Sequence, residues 1–183
     1  MFRFSLERKR IFEAQKTIRR TIIQELKKGV KTMAKKKLFI YYSFTGNGDE
    51  VASILKEKGY EVRKVREKFK MPKSFFSQMM VGGFRAGLGL KGRIEDTDLD
   101  ISGFDKIVIG SPIWNGALPP AINGLLPKIS LDGKEVSFLL YSGSGEGKKA
   151  EKKIKRLFGD KRIVFLKEPK KHREELSKLS VLD

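Results

Sequence analysis

The chain has 183 residues, which is enough for one compact domain with its own hydrophobic core. It contains no cysteine and a single histidine, which excludes disulfides, thiolate metal sites and cysteine nucleophiles and disfavours a histidine-centred triad, so any redox chemistry requires a bound organic cofactor. The 40 Lys and Arg residues outnumber the 22 Asp and Glu residues and give a net charge of +18, which favours salt-dependent attraction to nucleic acid, anionic lipid or an acidic partner protein.

The sequence lacks the features of a membrane-spanning or secreted chain. No stretch approaches the roughly 18 to 20 consecutive apolar residues that a spanning helix needs. Residues 1–10 contain neither the apolar core nor the cleavage site of a secretory signal. We therefore expect a cytoplasmic protein with no transmembrane segment.

Residues 1–34 differ from the rest and predict an N-terminal helical extension. Its apolar residues recur mostly at four-residue spacing, with basic residues between them: Ile11, Ile18, Ile22, Leu26 and Val30. This basic amphipathic pattern favours two interpretations, in which residues 4–28 either contact an anionic membrane, RNA or a partner, or pack as a tail on the domain. In a third interpretation translation starts at Met33, because the lysines that follow lead directly into the first strand.

Residues 35–183 alternate short apolar runs with helical patterns, which is typical of a parallel sheet with crossover helices. The predicted strands span residues 38–42, 60–65, 107–110, 136–141 and 162–166. The predicted helices span residues 47–58, 74–90, 117–126, 148–158 and 171–179. Right-handed crossovers then predict an α/β fold with a doubly wound, five-stranded parallel sheet. We expect the aromatic and Met residues of the helix at 74–90 to pack on this sheet.

The loop after the first predicted strand has the composition of a phosphate site. Residues 43–49 contain two hydroxyl side chains and two glycines, and they lead into the start of a helix. The amides of a helix start can enclose a terminal phosphate without a cation. The same composition also suits a strand-to-helix turn that holds no ligand.

The loops after the third and fourth predicted strands have features suited to a flat ligand. The first, at residues 111–117, contains the only Trp, which either stacks on a planar cofactor or packs in the core between helices. The second, at residues 141–147, alternates glycine with hydroxyl side chains. It forms either a close backbone wall for a ring or a flexible turn.

Together these loops resemble those of the flavodoxin family. Residues 42–47 (YSFTGN) are similar to its FMN-phosphate loop, and residues 109–114 (IGSPIW), followed by 119–121 (PPA), resemble a loop that flanks the flavin. Residues 141–145 (YSGSG) lie where that family has its other ring-contacting loop. The resemblance covers roughly residues 37–166, and it implies the flavodoxin-like strand order 2-1-3-4-5 and FMN as the cofactor.

The resemblance also implies three groups of FMN-binding residues. The phosphate group comprises Ser43, Phe44, Thr45, Gly46, Asn47 and Gly48. The group that faces the flavin ring comprises Ser111, Pro112, Ile113, Trp114, Asn115 and Gly116. The group along the edge of the ring comprises Ser142, Gly143, Ser144 and Gly145.

Two departures from the family pattern fall in the phosphate loop. Family members commonly carry another hydroxyl residue where this chain has Gly48, so one phosphate donor is missing. Asp49 and Glu50 follow at once, and their carboxylates would repel a phosphate unless they point away from it.

The resemblance implies electron transfer through FMN, with neither a catalytic side chain nor a metal. Two roles remain open: a carrier between redox partner proteins, or an oxidoreductase that passes electrons from a nicotinamide cofactor to a small acceptor such as a quinone. The alternatives are a redox-silent module that binds nucleic acid or anionic membrane through its basic surface, and a structural protein that assembles through residues 4–28. Residues 115 and 116 form either a peptide that reorients beside the flavin or merely a tight turn.

Overall fold

The computed structural model describes residues 15–19, 35–95 and 97–182. The chain divides into two units, Met1–Lys35 and Lys36–Asp183. In the first unit residues 15–19 are helical and Ile18 is exposed, whereas the rest of the predicted helix at 4–28 lies outside the described residues.

The second unit is built on a sheet of five parallel strands, which confirms the predicted fold class. The strands are β1 (Lys37–Tyr42), β2 (Tyr60–Val65), β3 (Lys106–Pro112), β4 (Glu135–Ser142) and β5 (Arg162–Lys167). They lie in the order β2-β1-β3-β4-β5. In register, Ile40 of β1 lies between Arg63 of β2 and Ile109 of β3. The winding direction reverses between β1 and β3, where a doubly wound sheet opens a crevice at the carboxyl ends of its strands.

The helices fall close to their predicted positions, with two differences that have a local cause. They are α1 (Asn47–Glu57), α2 (Phe75–Gly87), α3 (Pro120–Leu125), a 3-10 turn (Leu126–Lys128), α4 (Lys148–Phe158) and a C-terminal 3-10 segment (Arg173–Leu182). Helix α3 starts later than predicted because Pro119 is extended, as a residue before proline prefers, and Pro120 takes the first helical position.

The last segment is a 3-10 helix where the sequence predicted an α-helix. Its apolar residues Leu176, Leu179 and Leu182 are three apart, and a 3-10 helix aligns residues i and i+3 on one side. Leu179 and Leu182 are buried, and Leu176 packs against the same cluster. The end of this segment is also held by the ammonium of Lys106, which donates to the Leu182 carbonyl.

The strands bury both faces of the sheet, as in other parallel sheets. Leu38 and Ile40 of β1 face the cluster that includes the buried residues of α3 and α4. Phe39 and Tyr41 face the other cluster, which contains the buried residues of α1 and of the C-terminal 3-10 segment. None of the helices within the described residues is long and apolar enough to cross a membrane.

Helix α2 packs in a different way from the one predicted. Among the positions of this helix whose burial is described, the small residues Gly82 and Ala86 are buried, whereas Phe76, Met80 and Phe84 are exposed. A Cβ atom on Gly82 would lie 3.1 Å from the indole of Trp114, so the missing side chain lets the helix backbone approach that ring. The prediction that the large residues of this helix pack on the sheet is therefore wrong.

Candidate functional site

Two adjoining clefts open at the carboxyl ends of the strands. The first has a volume of about 320 Å³, and the second of about 430 Å³. They share the walls formed by Ile113, Asn115, Ser142 and Gly143. The first cleft is also lined by Phe44, Thr45, Asn47, Gln78, Met79, Gly83, Pro112, Trp114, Tyr141 and Glu168. The second is also lined by Gly116, Ser144, Glu146, Gly147, Lys148 and Lys149.

The turn between β1 and α1 is held in place by its own hydrogen bonds. Gly46 caps the helix in the left-handed region at φ 92°, which glycine adopts without steric cost, and its carbonyl accepts from the amides of Asp49 and Glu50, both at 3.1 Å. The Ser43 hydroxyl accepts from the Gly48 amide at 3.2 Å. The turn therefore places the start of α1, which is the positive end of its dipole, at the carboxyl edge of the sheet.

The carboxylate of Asp49 is bound by neighbouring side chains. It accepts hydrogen bonds from the Tyr41 hydroxyl and the Lys64 ammonium, each at 2.7 Å. Partial burial opposes ionisation of Asp49, but the hydrogen bonds from Lys64 and Tyr41 outweigh it and hold the pKa below its usual 3.8. The Glu50 carboxylate is bound by the Arg173 guanidinium at 2.6 Å. Both acidic side chains that would repel a phosphate thus have cationic partners.

Tyr141, near the end of β4, packs against the turn at Gly48. Its side chain is 2% exposed, and its hydroxyl donates to the Tyr42 carbonyl at 2.7 Å. Burial raises the pKa of this phenol well above its usual value, so the group stays neutral and remains a donor.

Trp114 is half-buried, and it lines the first cleft. The edges of its neighbours Tyr42 and Phe44 meet its ring at interplanar angles of 77° and 86°, with ring centroids 5.9 and 5.6 Å apart. These edge-to-face contacts fix the ring while part of it stays open to the cleft. Trp114 also packs against the core cluster that includes the buried residues of α3 and α4, so it is a partly buried residue at the edge of the core.

Residues 115 and 116 form a tight two-residue turn. Trp114 and Ala117 exchange both backbone hydrogen bonds at 3.0 Å, and Asn115 and Gly116 between them have φ angles of 50° and 74°. Two successive positive φ values are characteristic of a type I′ turn, for which Asn-Gly is a preferred sequence. The turn holds the side chain of Asn115 against α2, since a Cβ atom on Gly87 would lie 3.1 Å from its Nδ2.

The loop after β4 is closed by one side chain. The Ser142 hydroxyl donates to the Glu146 carbonyl at 2.9 Å and accepts from the Glu146 amide at 3.0 Å. Because Ser142 and Gly143 line both clefts, this closed loop forms the wall between them.

The loop after β5 contributes to the site, although no sequence motif indicated it. Glu168, with φ at 36°, lines the first cleft. The Lys170 amide donates to the Asn47 side chain at 3.1 Å. The Lys170 ammonium lies over Gly46, 3.2 Å from the position that a Cβ atom would take there. Lys170 is 123 residues from Asn47 in sequence and belongs to a lysine-rich stretch with the pattern of an exposed surface.

Comparison with solved structures identifies the fold. No protein-family model matches the chain, and no curated protein matches it. Among solved structures, a candidate flavoprotein from Bacteroides eggerthii has a TM-score of 0.63 at 22% identity, over 80% of this chain and 97% of that one. A flavoprotein from Lactobacillus acidophilus, solved in complex with FMN, has a TM-score of 0.55 at 21% identity, over 71% of this chain and 90% of that one.

A candidate flavoprotein from Bacteroides uniformis gives a TM-score of 0.58 at 22% identity, with 70% of this chain and 86% of that one covered. The strand order β2-β1-β3-β4-β5 agrees with these likenesses. The fold is flavodoxin-like. Structural likeness at 21–22% identity shows the fold alone.

The flavodoxin-like fold brings residues from all three predicted loops into the cleft walls. These are Phe44, Thr45, Asn47, Pro112, Ile113, Trp114, Asn115, Gly116, Ser142, Gly143 and Ser144. Five other predicted residues lie outside the walls. Ser43, Gly46 and Gly48 form the turn at the start of α1, and Gly145 turns toward Lys167 of β5. Ser111 is fully buried, and its hydroxyl donates to the Pro112 carbonyl at 2.9 Å.

The donor set of this flavodoxin-like site fits a flavin phosphate better than it fits a metal ion. Within the described ranges, no cluster of three or more His, Asp or Glu side chains could hold a metal. The first cleft instead has Asn47, at the start of α1, on one side and the Trp114 ring on another, and the Lys170 ammonium lies over the adjacent Gly46. The helix start and Lys170 suit an anionic phosphate, and the Trp114 ring suits a flat aromatic ring.

Proposed function

We propose that this chain binds FMN in the two clefts and transfers electrons through it. The observation that carries the proposal is the meeting of three loops in one cleft, with Thr45 following β1, Trp114 following β3 and Ser142 ending β4. This is the place where doubly wound sheets bind their ligands. The FMN complex of the Lactobacillus acidophilus flavoprotein, which has a similar fold, supports the choice of cofactor.

In this proposal the phosphate lies at the start of α1. The helix dipole favours an anion, and the hydroxyl of Thr45 and the side chain of Asn47 add polar contacts. The hydrogen bond from Asn47 to Thr45, at 3.1 Å, orders these two side chains relative to each other. Lys170 supplies a positive charge above Gly46, and the carboxylates of Asp49, Glu50 and Glu168 are each bound to a cationic side chain.

The ring lies between Trp114 and the loop after β4. Trp114 is held at a fixed angle by Tyr42 and Phe44, so it presents a pre-oriented aromatic surface that excludes water. Ser142 and Gly143 place backbone at the opposite wall. When bound, FMN supplies the redox chemistry, so the protein has only to bind it, orient it and set the surrounding field.

Trp114 provides the test, because it is the only Trp in the chain. Titration of the purified full chain with FMN should quench Trp114 fluorescence with a saturable curve, and the visible flavin bands should shift over the same range. Lumichrome, a flat ring without ribityl phosphate, serves as a control for ring contact alone. A chain that neither quenches nor retains FMN would overturn the proposal.

A second measurement separates the two redox roles. Reduced nicotinamide cofactor is added to the FMN-loaded chain with and without a soluble quinone, and cofactor oxidation is followed by absorbance. Oxidation that depends on both the quinone and the loaded chain assigns the oxidoreductase role. Chemical reduction of the FMN-loaded chain followed by electron transfer to a protein acceptor, without nicotinamide oxidation, assigns the carrier role.

A further inference from the structure

Helix α2 carries an apolar ridge on its solvent side. Phe76, Met80, Phe84 and Leu88, at the C-cap, are each between 60% and 72% exposed. A spacing of four residues places them in one row along the helix, opposite the buried Gly82. Contiguous exposed apolar side chains of this size mark an interaction surface.

The ridge is convex rather than a groove. Gly82 lets the helix backbone lie close to Trp114 on the inner side, and the side chains of the ridge project outward on the other side. From Phe76 to Leu88 the row runs about 18 Å, at 1.5 Å per residue. A projecting ridge of Phe, Met and Leu suits a soft, deformable apolar medium, whereas a protein partner would need a matching groove.

Basic side chains flank the ridge at both ends. Between residues 66 and 93 the sequence has seven basic residues, of which Lys70 and Lys73 precede the helix and Lys91 follows it. The only acidic residue in that stretch, Glu67, is 4% exposed and bound to Arg85 at 2.5 Å. The surface around the ridge is therefore positive, and it complements an anionic layer.

We propose that the α2 ridge docks on the surface of a bilayer that contains anionic lipid. Phe76, Met80 and Phe84 enter the interfacial layer, and Lys70 and Lys73 contact the lipid phosphates. Apolar residues beside a lysine cluster are the combination that gives peripheral membrane binding. This surface belongs to the second unit of the chain, and the proposal does not depend on FMN binding.

The position of the ridge also bears on the proposed function. Met79, on the cleft side of the same helix, is 62% exposed and lines the first cleft. A docked α2 would hold the mouth of that cleft at the lipid surface, where an apolar electron acceptor dissolves. This consequence alone rests on the proposed function.

The test is co-sedimentation of the full chain with vesicles at fixed ionic strength. One vesicle set contains equimolar phosphatidylcholine and phosphatidylglycerol, and the other contains phosphatidylcholine alone. We expect binding to the anionic set, and a fall of about tenfold in the partition coefficient for Phe76→Ser with Phe84→Ser, because two apolar anchors are lost. The matched control is Leu157→Ser with Val181→Ser, which removes exposed apolar side chains from other elements and should change partitioning less than twofold.

Two double charge-reversal variants test the electrostatic part of the proposal. Lys70→Glu with Lys73→Glu should weaken binding to the anionic vesicles as strongly as the Phe76 and Phe84 variant does. The control is Lys36→Glu with Lys56→Glu, which makes the same charge change at exposed positions away from α2. Equal losses for the two charge pairs would overturn the proposal, because they would show non-specific attraction by the whole basic chain. Full retention of binding by the Phe76 and Phe84 variant would also overturn it, as would concentration-dependent self-association of the wild type abolished by that variant.

Discussion

The hydroxyl of Tyr141 occupies the space that a side chain at position 48 would need. A Cβ atom on Gly48 would meet this hydroxyl inside van der Waals contact, and it would also lie 2.8 Å from Cδ2 of Tyr41. The glycine at this position, where flavodoxins commonly carry a hydroxyl residue, therefore has a packing cause.

Gly48→Ala should destabilise the domain by about 1–3 kcal/mol, because the added methyl overpacks a site closed by Tyr41 and Tyr141. Tyr141→Phe alone should cost about 1 kcal/mol for the buried hydrogen bond to Tyr42. In the double variant Gly48→Ala with Tyr141→Phe, the alanine should lower the free energy of unfolding by less than it does alone, since the Tyr141 hydroxyl, the closest atom, is absent. Urea unfolding measures all three, and Gly103→Ala, with no atom within 4 Å of its Cβ, is the control. Strict additivity in this cycle would contradict the assignment.

The sequence predicted the sheet well because each strand is a compact apolar run, and the order of the strands followed from the resemblance. The structure also brings Thr45, Trp114 and Ser142 together as predicted, since the carboxyl ends of parallel strands lie at one edge of the sheet. The sequence did not indicate Lys170, whose place depends on how the loop after β5 crosses to α1. The predicted packing of α2 was wrong, because amino-acid composition cannot show that Gly82 lies on the buried side of the helix.

Asp49 should make the stability of the domain depend on pH in the acidic range. Its folded pKa lies below 3.8, mainly through the hydrogen bonds from Lys64 and Tyr41 that outweigh partial burial. A depressed folded pKa contributes stability above the unfolded value, and that contribution is lost as pH falls through the folded value. Asp49→Asn should therefore reduce the fall in the free energy of unfolding as pH drops below about 4, by less than about 1 kcal/mol because the Asp49–Lys64 pair is partly exposed. Urea unfolding across this range measures the slope, and an unchanged slope in the variant would contradict the prediction.

Lys170→Met should weaken FMN binding and leave riboflavin binding nearly unchanged. Riboflavin has the same ring and ribityl chain without the phosphate, so only FMN loses a charge partner. We expect a rise of about three- to thirtyfold in the FMN dissociation constant, measured by Trp114 quenching. Lys56→Met, on the same basic surface but at the far end of α1, is the control for general charge. Equal weakening of FMN and riboflavin would show that Lys170 supports the structure of the turn rather than the phosphate.

Lys148 and Lys149 should raise the midpoint potential of FMN held in the clefts. Both line the second cleft, and the Cγ of Lys149 lies 3.9 Å from the Cβ position of Gly116 at the predicted ring. A positive field stabilises the added electrons, so Lys148→Glu with Lys149→Glu should lower the potential by a few tens of millivolts at low salt and by less at high salt. Spectroelectrochemistry measures the shift, with Lys36→Glu and Lys56→Glu as the matched charge control. An equal shift in both variants would assign the effect to net charge alone, and no shift in either would show that these lysines do not act on the ring.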